Sequence, residues 1–258
     1  MFQEELQRLA RLLAKNRQNG TISDLPLDML QTEDEALSVQ ADAISAFADD
    51  AVGYAIVGGS PAVCRSLGIG APIYGPIPAG TRHMASDHPF RLPGGIIGAL
   101  CDLFFTMGAP LGDDHQPVTR DMFCAAALTC QPAIVLLGRR GHLSDQPRLA
   151  AIADFALHVA TFVGKRREMP DPQVLARLAI RASIDGRTVL DTQADGRRAD
   201  PVASAVWLVN DLIKRDRQLR AGDIVSTGAL APILLQVLPG QELEVEVPDI
   251  GEIAVRFA

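Results

Sequence analysis

The chain has 258 residues, enough for one large domain or for a small domain docked on a larger one. Its 24 Lys and Arg residues stand against 31 Asp and Glu, giving a net charge of −7. The basic residues are scattered along the chain, so nucleic acid is not expected as a partner. Apolar stretches fall short of the roughly 20 residues that a membrane span needs, and no membrane association is expected.

Two helices are predicted at the start of the chain. The first, within residues 1–20, repeats apolar residues at helical spacing and carries acids early, unlike a secretory or organellar leader. The second begins at Thr32, with Glu35 three residues later as in a capping box. A short strand, a short helix and a Pro/Gly-rich loop follow. We therefore expect residues 1–77 to form an N-terminal helical lobe.

A sheet-rich domain is predicted for residues 78–258. Its strand candidates are Ile96 to Met107, Ala133 to Gly138, Leu175 to Ile184, Thr188 to Thr192 and Asp223 to Ser226. The terminal run ELEVEVPDIGEIAVRFA alternates apolar and polar residues around a turn, which predicts an antiparallel hairpin. Helices are predicted from Gln146 to Phe162 and after Asp200, where a proline occupies the first helical position. The four cysteines form no C-x-x-C pair, which favours reduced thiols in the cytoplasm.

Four segments, in the same order along the chain, resemble the 2-keto-4-pentenoate hydratase family. They are TEDEALSVQADAI, GYAIVGGSPAVCRSLGIGAPIYGPI, IADFALHVATFVG and the C-terminal run from DPVASAVWLVNDLIKR to AVRFA. This family belongs to the fumarylacetoacetate hydrolase superfamily and also contains 4-oxalocrotonate decarboxylases. The resemblance implies an α+β fold, a fumarylacetoacetate hydrolase-like mixed β-sheet pseudo-barrel with an N-terminal helical lobe. It also implies a homo-oligomer.

The resemblance further implies a Mg²⁺ or Mn²⁺ ion that chelates a small dienoic acid through oxygen donors. Two of the family's metal ligands, in a Glu-x-Glu strand, fall on Leu100 and Asp102, and a third Glu falls on Val135. Ala55 stands where the family has its catalytic lysine, and Gly138 where it has an Asp. Because two of three carboxylates are replaced by apolar residues, we expect no metal and no other cofactor.

Several polar positions of the family are retained. Arg140 falls on the family's Arg and Asp154 on an Asp, so these two and Asp102 are the catalytic candidates implied by the resemblance. The segment STGAL resembles the one that receives the substrate carboxylate. It nominates Ser226, Thr227 and Gly228 as substrate-binding residues.

Two local questions stay open in the sequence. Asp102 lies alone in the apolar run GALCDLFFTMG. It is either a partly desolvated general acid or base, or a buried carboxylate satisfied by backbone donors or by an arginine such as Arg140. Asp113, Asp114 and His115 could compensate for the lost metal ligands, although Gly and Pro frame them as a solvated turn.

The expected function is that of a diverged, metal-independent lyase or isomerase. Its substrate would be a small 2-oxo or 2-hydroxy-dienoic acid or a related enolisable compound, with fixed dipoles and Arg140 stabilising the enolate in place of a metal. The alternative is a non-catalytic homologue that serves as a binding or partner subunit, because a fold can outlast its chemistry.

Overall fold

The computed structural model describes residues 3–47, 49–85, 88–112, 116–142, 144–193, 200–228, 230 and 232–258. In this part of the chain the helices are α1 (Gln3–Asn19), α2 (Glu33–Phe47), α3 (Pro61–Leu67), α4 (Arg120–Ala126), α5 (Pro147–Ala153), α6 (Pro172–Leu175) and α7 (Pro201–Ile213). Short 3-10 turns lie at Leu27–Met29, Ala79–Thr81 and Phe155–Leu157. No helix among the described residues is long and apolar enough to cross a membrane.

The strands form two sheets. They are β1 (Ala51–Val57), β2 (Ile73–Pro78), β3 (Arg82–Met84), β4 (Ile96–Met107), β5 (Ala127–Gly138), β6 (His158–Val163), β7 (Arg167–Glu168), β8 (Arg181–Ile184), β9 (Arg187–Asp191), β10 (Ile224–Ser226), β11 (Glu242–Val247) and β12 (Gly251–Arg256). The larger sheet has the order β2-β1-β10-β4-β5-β6-β3, with β7 attached to β5, and the smaller has the order β12-β11-β8-β9. Parallel pairing joins β1 to β10 and β3 to β6, so the larger sheet is mixed.

The predicted α+β fold with a mixed sheet is confirmed. Strands β1 and β2 precede residue 78 yet belong to the larger sheet, beside β10 from the C-terminal half. The boundary between residues 1–77 and 78–258 therefore stays a prediction.

The two faces of the larger sheet are packed against different apolar cores. On β4, Cys101, Leu103 and Phe105 face one core, together with α7 and the hairpin strands. Leu100 and Phe104 face the other, together with the first two helices. This division follows from the two-residue period of a strand, which sends successive side chains to opposite faces. The second face is the one that carries the candidate site.

Two predicted elements differ from the structure. The helix predicted from Gln146 to Phe162 ends at Ala153, and the rest becomes the turn Phe155–Leu157 and strand β6. The three turn residues have positive φ, which a right-handed helix cannot contain, and Val159, Thr161 and Val163 suit a strand. The strand predicted from Leu175 to Ile184 begins only at Arg181, because Asp171 caps the short helix α6.

Candidate functional site

Asp102 is fully buried in the middle of β4. Its side chain shares a face with Leu100 and Phe104, because residues two apart on a strand point the same way. Asp102 is opposite Ala133 on β5, while Phe104 is opposite Ser226 on β10. The carboxylate therefore lies next to the strand end that carries the predicted carboxylate-binding segment.

Four donors surround this carboxylate. Oδ1 accepts hydrogen bonds from the Leu103 amide at 2.8 Å and from Thr227 Oγ1 at 2.5 Å. Oδ2 accepts one from Ser226 Oγ and one from the Gly228 amide, the latter at 2.9 Å. A carboxylate offers about four lone-pair sites, and each is matched here by a donor of the protein. We call Asp102, Ser226, Thr227 and Gly228 the Asp102 site.

Gly228 is required at its position in this site. Its φ is +59°, and a Cβ atom there would lie 2.2 Å from the carbonyl oxygen of Ile56 on β1. A side chain at residue 228 would therefore move the loop that presents the Gly228 amide to Asp102. Close contact between this loop and β1 fixes the geometry of the site.

The protonation balance of Asp102 follows from these contacts. Burial raises the pKa of the Asp102 carboxyl, and the hydrogen bonds from Ser226, Thr227, Gly228 and Leu103 oppose that rise. Two of these donors are amides that can only donate, and both hydroxyls point at the carboxylate, an arrangement that suits the ionised form. The structure thus places Asp102 among hydroxyl and backbone donors, whereas Arg140 binds elsewhere.

Apolar side chains surround the Asp102 site on the same face of the sheet. Leu100 and Val135 are 1% exposed and Ala55 is fully buried. Leu100 is paired with Val135, and Val135 with Thr161 on β6, so the three side chains form one cross-strand row. Leu100 and Val135 of this row occupy positions where the resemblance implies metal ligands, and Ala55 occupies the position of the family's lysine.

A second group of buried charges contains Arg140 and Asp154. The backbone amide of Arg140 donates to Asp154 Oδ2 at 2.7 Å, and Arg140 Nε lies 3.6 Å from Asp154 Oδ1. The guanidinium also donates to the carbonyl oxygens of Gly138 and His158, each at 2.6 Å. Burial raises the pKa of Asp154, and the charge and amide of Arg140 oppose that rise.

Arg17 and His158 complete this group, and sequence reasoning did not connect them. Arg17 reaches from α1 to the carbonyl oxygen of His158 at 2.8 Å and to His158 Nδ1 at 3.0 Å. Since a guanidinium can only donate, Nδ1 accepts and Nε2 carries the proton. Nε2 lies 2.8 Å from Thr161 Oγ1 and donates to it. Burial, together with the charges of Arg17 and Arg140, holds the pKa of His158 well below its usual range. We call Arg17, Arg140, Asp154 and His158 the arginine cluster.

The candidates thus separate into two groups. The structure brings Asp102 together with Ser226, Thr227 and Gly228, and Arg140 together with Asp154. Arg17 lies 141 residues from its partner His158, and no local pattern signals such a contact. Asp113, Asp114 and His115 lie outside the described residues.

Space near these groups is limited. A cavity of about 20 Å³ touches Asp154, Leu157 and His142, which is room for roughly one water molecule. A wider surface cleft, about 820 Å³, is lined by Tyr54, Arg217 and Arg220 among others and lies at the C-terminal end of α7. The sheet face with Leu100 and Val135 is instead filled by side chains of the second core.

Comparisons with known proteins agree with the resemblance. Residues 141–258 match the fumarylacetoacetate (FAA) hydrolase C-terminal family. 2-Keto-4-pentenoate hydratase 2 of Dechloromonas aromatica (strain RCB) is 38% identical over 58 residues, 22% of each protein. The 2-keto-4-pentenoate hydratase of Paraburkholderia phymatum is 26% identical over 176 residues, 68% of this chain and 66% of the relative. The first of these alignments therefore spans only about a fifth of the relative's length.

Among solved structures, 4-oxalocrotonate decarboxylase from Pseudomonas putida G7, complexed with magnesium and adipate, has a TM-score of 0.84. The match covers 100% of this chain and 99% of that chain, at 21% sequence identity. At this identity the likeness shows the fold. Together with the match of residues 141–258 to the FAA hydrolase C-terminal family, it agrees with the resemblance: the chain is similar to 2-keto-4-pentenoate hydratases and to 4-oxalocrotonate decarboxylase.

Proposed function

We propose that this chain keeps the superfamily fold without the metal-dependent dienoate chemistry and serves as a non-catalytic partner subunit. One observation carries the proposal: the hydroxyls and amide of Ser226, Thr227 and Gly228 all donate to the chain's own Asp102. Donors that are already paired inside the protein are not free to receive the carboxylate of a substrate.

The donor set does not fit Mg²⁺ or Mn²⁺. These ions prefer several oxygen ligands, usually including carboxylates, and among the described residues this position offers one carboxylate, that of Asp102. Its two oxygens already accept four hydrogen bonds, so metal coordination would require breaking some of them. The adjacent side chains of Leu100 and Val135 are hydrocarbon and buried. We therefore assign no step of a reaction to a metal here.

Enolate chemistry without a metal would need a cation or unpaired hydrogen-bond donors at the same place, and the nearby donors Ser226, Thr227 and Gly228 already bind Asp102. Ala55, at the position of the family's lysine, is buried and apolar. The guanidinium of Arg140 donates to Gly138 and His158 and faces Asp154, so its charge is already used within the arginine cluster. This supports loss of catalysis over replacement of the metal by Arg140.

Assembly with a catalytic relative is the positive part of the proposal. The fold matches that of a 4-oxalocrotonate decarboxylase along the whole chain, and an apolar core is packed on each face of the larger sheet. A chain that has lost polar site groups but keeps a complete fold is suited to present its surface, either to copies of itself or to a related catalytic subunit.

A second candidate is the metal-independent lyase or isomerase acting on a small 2-oxo or 2-hydroxy-dienoic acid. The observation that favours it is the buried carboxyl of Asp102, whose raised pKa suits a general acid or base. Catalysis would then require Asp102 to leave its four donors so that a substrate carboxylate could replace it.

The test combines turnover with assembly. The purified chain is mixed with 2-hydroxypenta-2,4-dienoate or 4-oxalocrotonate, with and without Mg²⁺ or Mn²⁺, and the dienol absorbance is followed. We expect no change, whereas a catalytic hydratase run in parallel removes the absorbance. Turnover that disappears in Asp102→Asn would establish the enzyme instead, and turnover unaffected by Asp102→Asn would mark a contaminating hydratase.

Assembly is measured by native mass spectrometry, alone and after coexpression with a 2-keto-4-pentenoate hydratase. The proposal predicts oligomers that contain this chain, either with itself or mixed with the catalytic subunit. A strictly monomeric chain in both samples would contradict it. Thermal shift with pyruvate-like acids then reports whether any small carboxylic acid binds, because a bound ligand raises the melting temperature.

A further inference from the structure

The turn between α5 and β6 has an unusual backbone. Phe155, Ala156 and Leu157 have φ values of +54°, +51° and +64°, so three consecutive residues with side chains adopt the left-handed conformation. Such residues enter this region singly and at a cost, because Cβ approaches the following carbonyl oxygen. A run of three persists only where surrounding contacts hold it in place.

These three residues are buried against the sheet face of the candidate site. All three are at most 2% exposed, and they belong to the same apolar core as Leu100 and Val135. The carbonyl oxygen of Phe155 lies so close to Gly75 on β2 that a Cβ atom there would be 2.6 Å away. The turn is therefore a strap that is packed on β1 and β2, at the side of the core that also contains Leu100 and Val135.

Arg17 contacts the strap at the Phe155 ring and at His158, the residue that follows the strap. The Arg17 guanidinium carbon is 4.3 Å from the centre of the Phe155 ring and 5.3 Å from that of Phe47. The same guanidinium donates to the carbonyl oxygen of His158, the residue that follows the strap, at 2.8 Å. It thus combines a cation–π contact with a charge-assisted hydrogen bond.

Other contacts hold the chain before the strap. Gln40 of α2 donates to the carbonyl oxygen of Ile152 at 2.7 Å, and Asp154 is fixed by Arg140. Arg140 also lies over the Phe155 ring, at 5.9 Å, and donates to the same His158 carbonyl oxygen at 2.6 Å. Arg17 differs from Arg140 because it is closer to the ring, at 4.3 Å, and comes from a partly exposed position on α1. Its loss would remove the nearer of the two guanidinium groups from the Phe155 ring and one of the two donors from the His158 carbonyl oxygen.

We propose that Arg17 is the latch of a strained strap, residues 155–157, and that its release opens the sheet face that carries Leu100 and Val135. Two forces are opposed at this place. Left-handed strain favours opening of the strap, and the contacts of Arg17 favour the closed state. This positioning role for Arg17 is independent of whether the chain is a catalyst or a partner subunit.

The test uses amide hydrogen exchange read by peptide mass spectrometry on the full chain. Arg17→Met should speed exchange across residues 154–163 by roughly ten- to a hundredfold, the size expected for losing hydrogen bonds from a charged group. The hairpin of β11 and β12, remote from the strap, should exchange as before. Arg11→Met, at an exposed position on the same helix, is the matched control and should leave both regions unchanged.

The strain is tested separately with Ala156→Gly, because glycine adopts positive φ without the Cβ penalty. This variant should slow exchange across residues 154–163, and Arg17→Met combined with Ala156→Gly should return it toward the wild-type rate. If Ala156→Gly speeds exchange, the turn is not strained and the proposal is wrong. Equal acceleration of the strap and the hairpin in Arg17→Met would show general destabilisation and would also overturn it.

Opening of the sheet face is measured with a thiol at residue 135. In a Val135→Cys background, alkylation of that thiol by iodoacetamide should speed by the same factor when Arg17→Met is added. Unchanged alkylation beside faster exchange would show that the strap moves without uncovering the face. Should Arg17→Met fail to fold, Arg17→Lys is used, for which we expect a smaller acceleration because its ammonium lacks the planar fork of guanidinium.

Discussion

The Asp102 site and the arginine cluster satisfy buried charge in opposite ways. At Asp102, one carboxylate is surrounded by neutral hydroxyl and amide donors from β4, β10 and the loop after it. In the arginine cluster, two guanidinium groups donate to the carbonyl oxygen of His158, while Arg140 also pairs with Asp154 and Arg17 with the neutral His158 ring. The first is confined to the sheet, whereas the second joins α1 to the sheet through Arg17.

This difference in hydrogen-bond partners predicts which buried charge is more costly to remove. Neutral donors left without an acceptor cannot change their charge, so they must find water or stay unpaired. The arginine cluster can redistribute its contacts because two cations serve overlapping acceptors. Hence we expect the larger penalty at Asp102 and the larger pH dependence at His158.

The largest effect is expected for Asp102→Ala. It would leave four buried donors without their acceptor and lower the free energy of unfolding by at least about 4 kcal/mol, since each unpaired buried group costs about 1–3 kcal/mol. Chemical denaturation measures the change, with the exposed Asp24→Ala as the control. A loss below about 1 kcal/mol would mean that the four hydrogen bonds contribute little to the folded state.

The next largest effect is expected for Arg140→Met. This change keeps the aliphatic bulk but removes the ion-pair partner of the buried Asp154. Breaking a buried ion pair lowers the free energy of unfolding by about 3–5 kcal/mol. The neighbouring, half-buried Arg139→Met provides the control. If both variants unfold at the same denaturant concentration, the arginine cluster does not carry the proposed share of stability.

A pH-dependent effect is expected from His158. Its pKa is held well below the usual range by burial and by Arg17 and Arg140, so the unfolded chain takes up the proton first as the pH falls below about 6.5. The contribution of neutral His158 is thus fully present above that pH and is lost below it, by up to about 1.4 kcal/mol per pH unit.

Denaturation between pH 7.5 and 5 checks this expectation. His158→Gln, which can still accept from Arg17 and donate to Thr161, should flatten the pH dependence. Part of the pH dependence should remain in this variant, because burial also lowers the pKa of His83. Exposed His142→Gln serves as the control. A wild-type slope that survives unchanged in His158→Gln would assign the titration to other groups.

The smallest effect is expected for Thr161→Val. The substitution keeps the shape of a fully buried side chain and removes the acceptor of the His158 Nε2 proton, at a cost of about 1 kcal/mol. Thr188→Val on the exposed part of β9 is the control. A neutral Thr161→Val would show that His158 is oriented by Arg17 alone.

The fold could be predicted from the sequence where local patterns and side-chain burial agree. In β11 the apolar residues Leu243, Val245 and Val247 are buried and the intervening glutamates are not, as the alternation predicts. At α7, Asp200 accepts from the Ala203 amide as expected for a helix cap. The helix predicted through Asp154 and His158 was wrong, because the spacing of apolar residues does not indicate a left-handed turn that distant residues stabilise.

The candidate site was predictable in part for the same reason. Asp102 was identified as a carboxylate within an apolar strand, whereas Ser226 was nominated by the resemblance of STGAL to the family's carboxylate-receiving segment. That they bond to each other depends on β10 pairing with β4, a contact between residues 124 positions apart. The contact of Arg17 with His158 likewise depends on how α1 packs against the sheet, and the residues near Arg17 in the sequence do not indicate it.

The position of β10 also constrains the order in which the chain can be built. This three-residue strand lies between β1 and β4, yet it is synthesised more than one hundred residues after both begin. The earlier strands must wait, with edges open and apolar surfaces uncovered, until the last quarter of the polypeptide arrives. Such long-range closure slows folding and prolongs the exposure of apolar surface to aggregation.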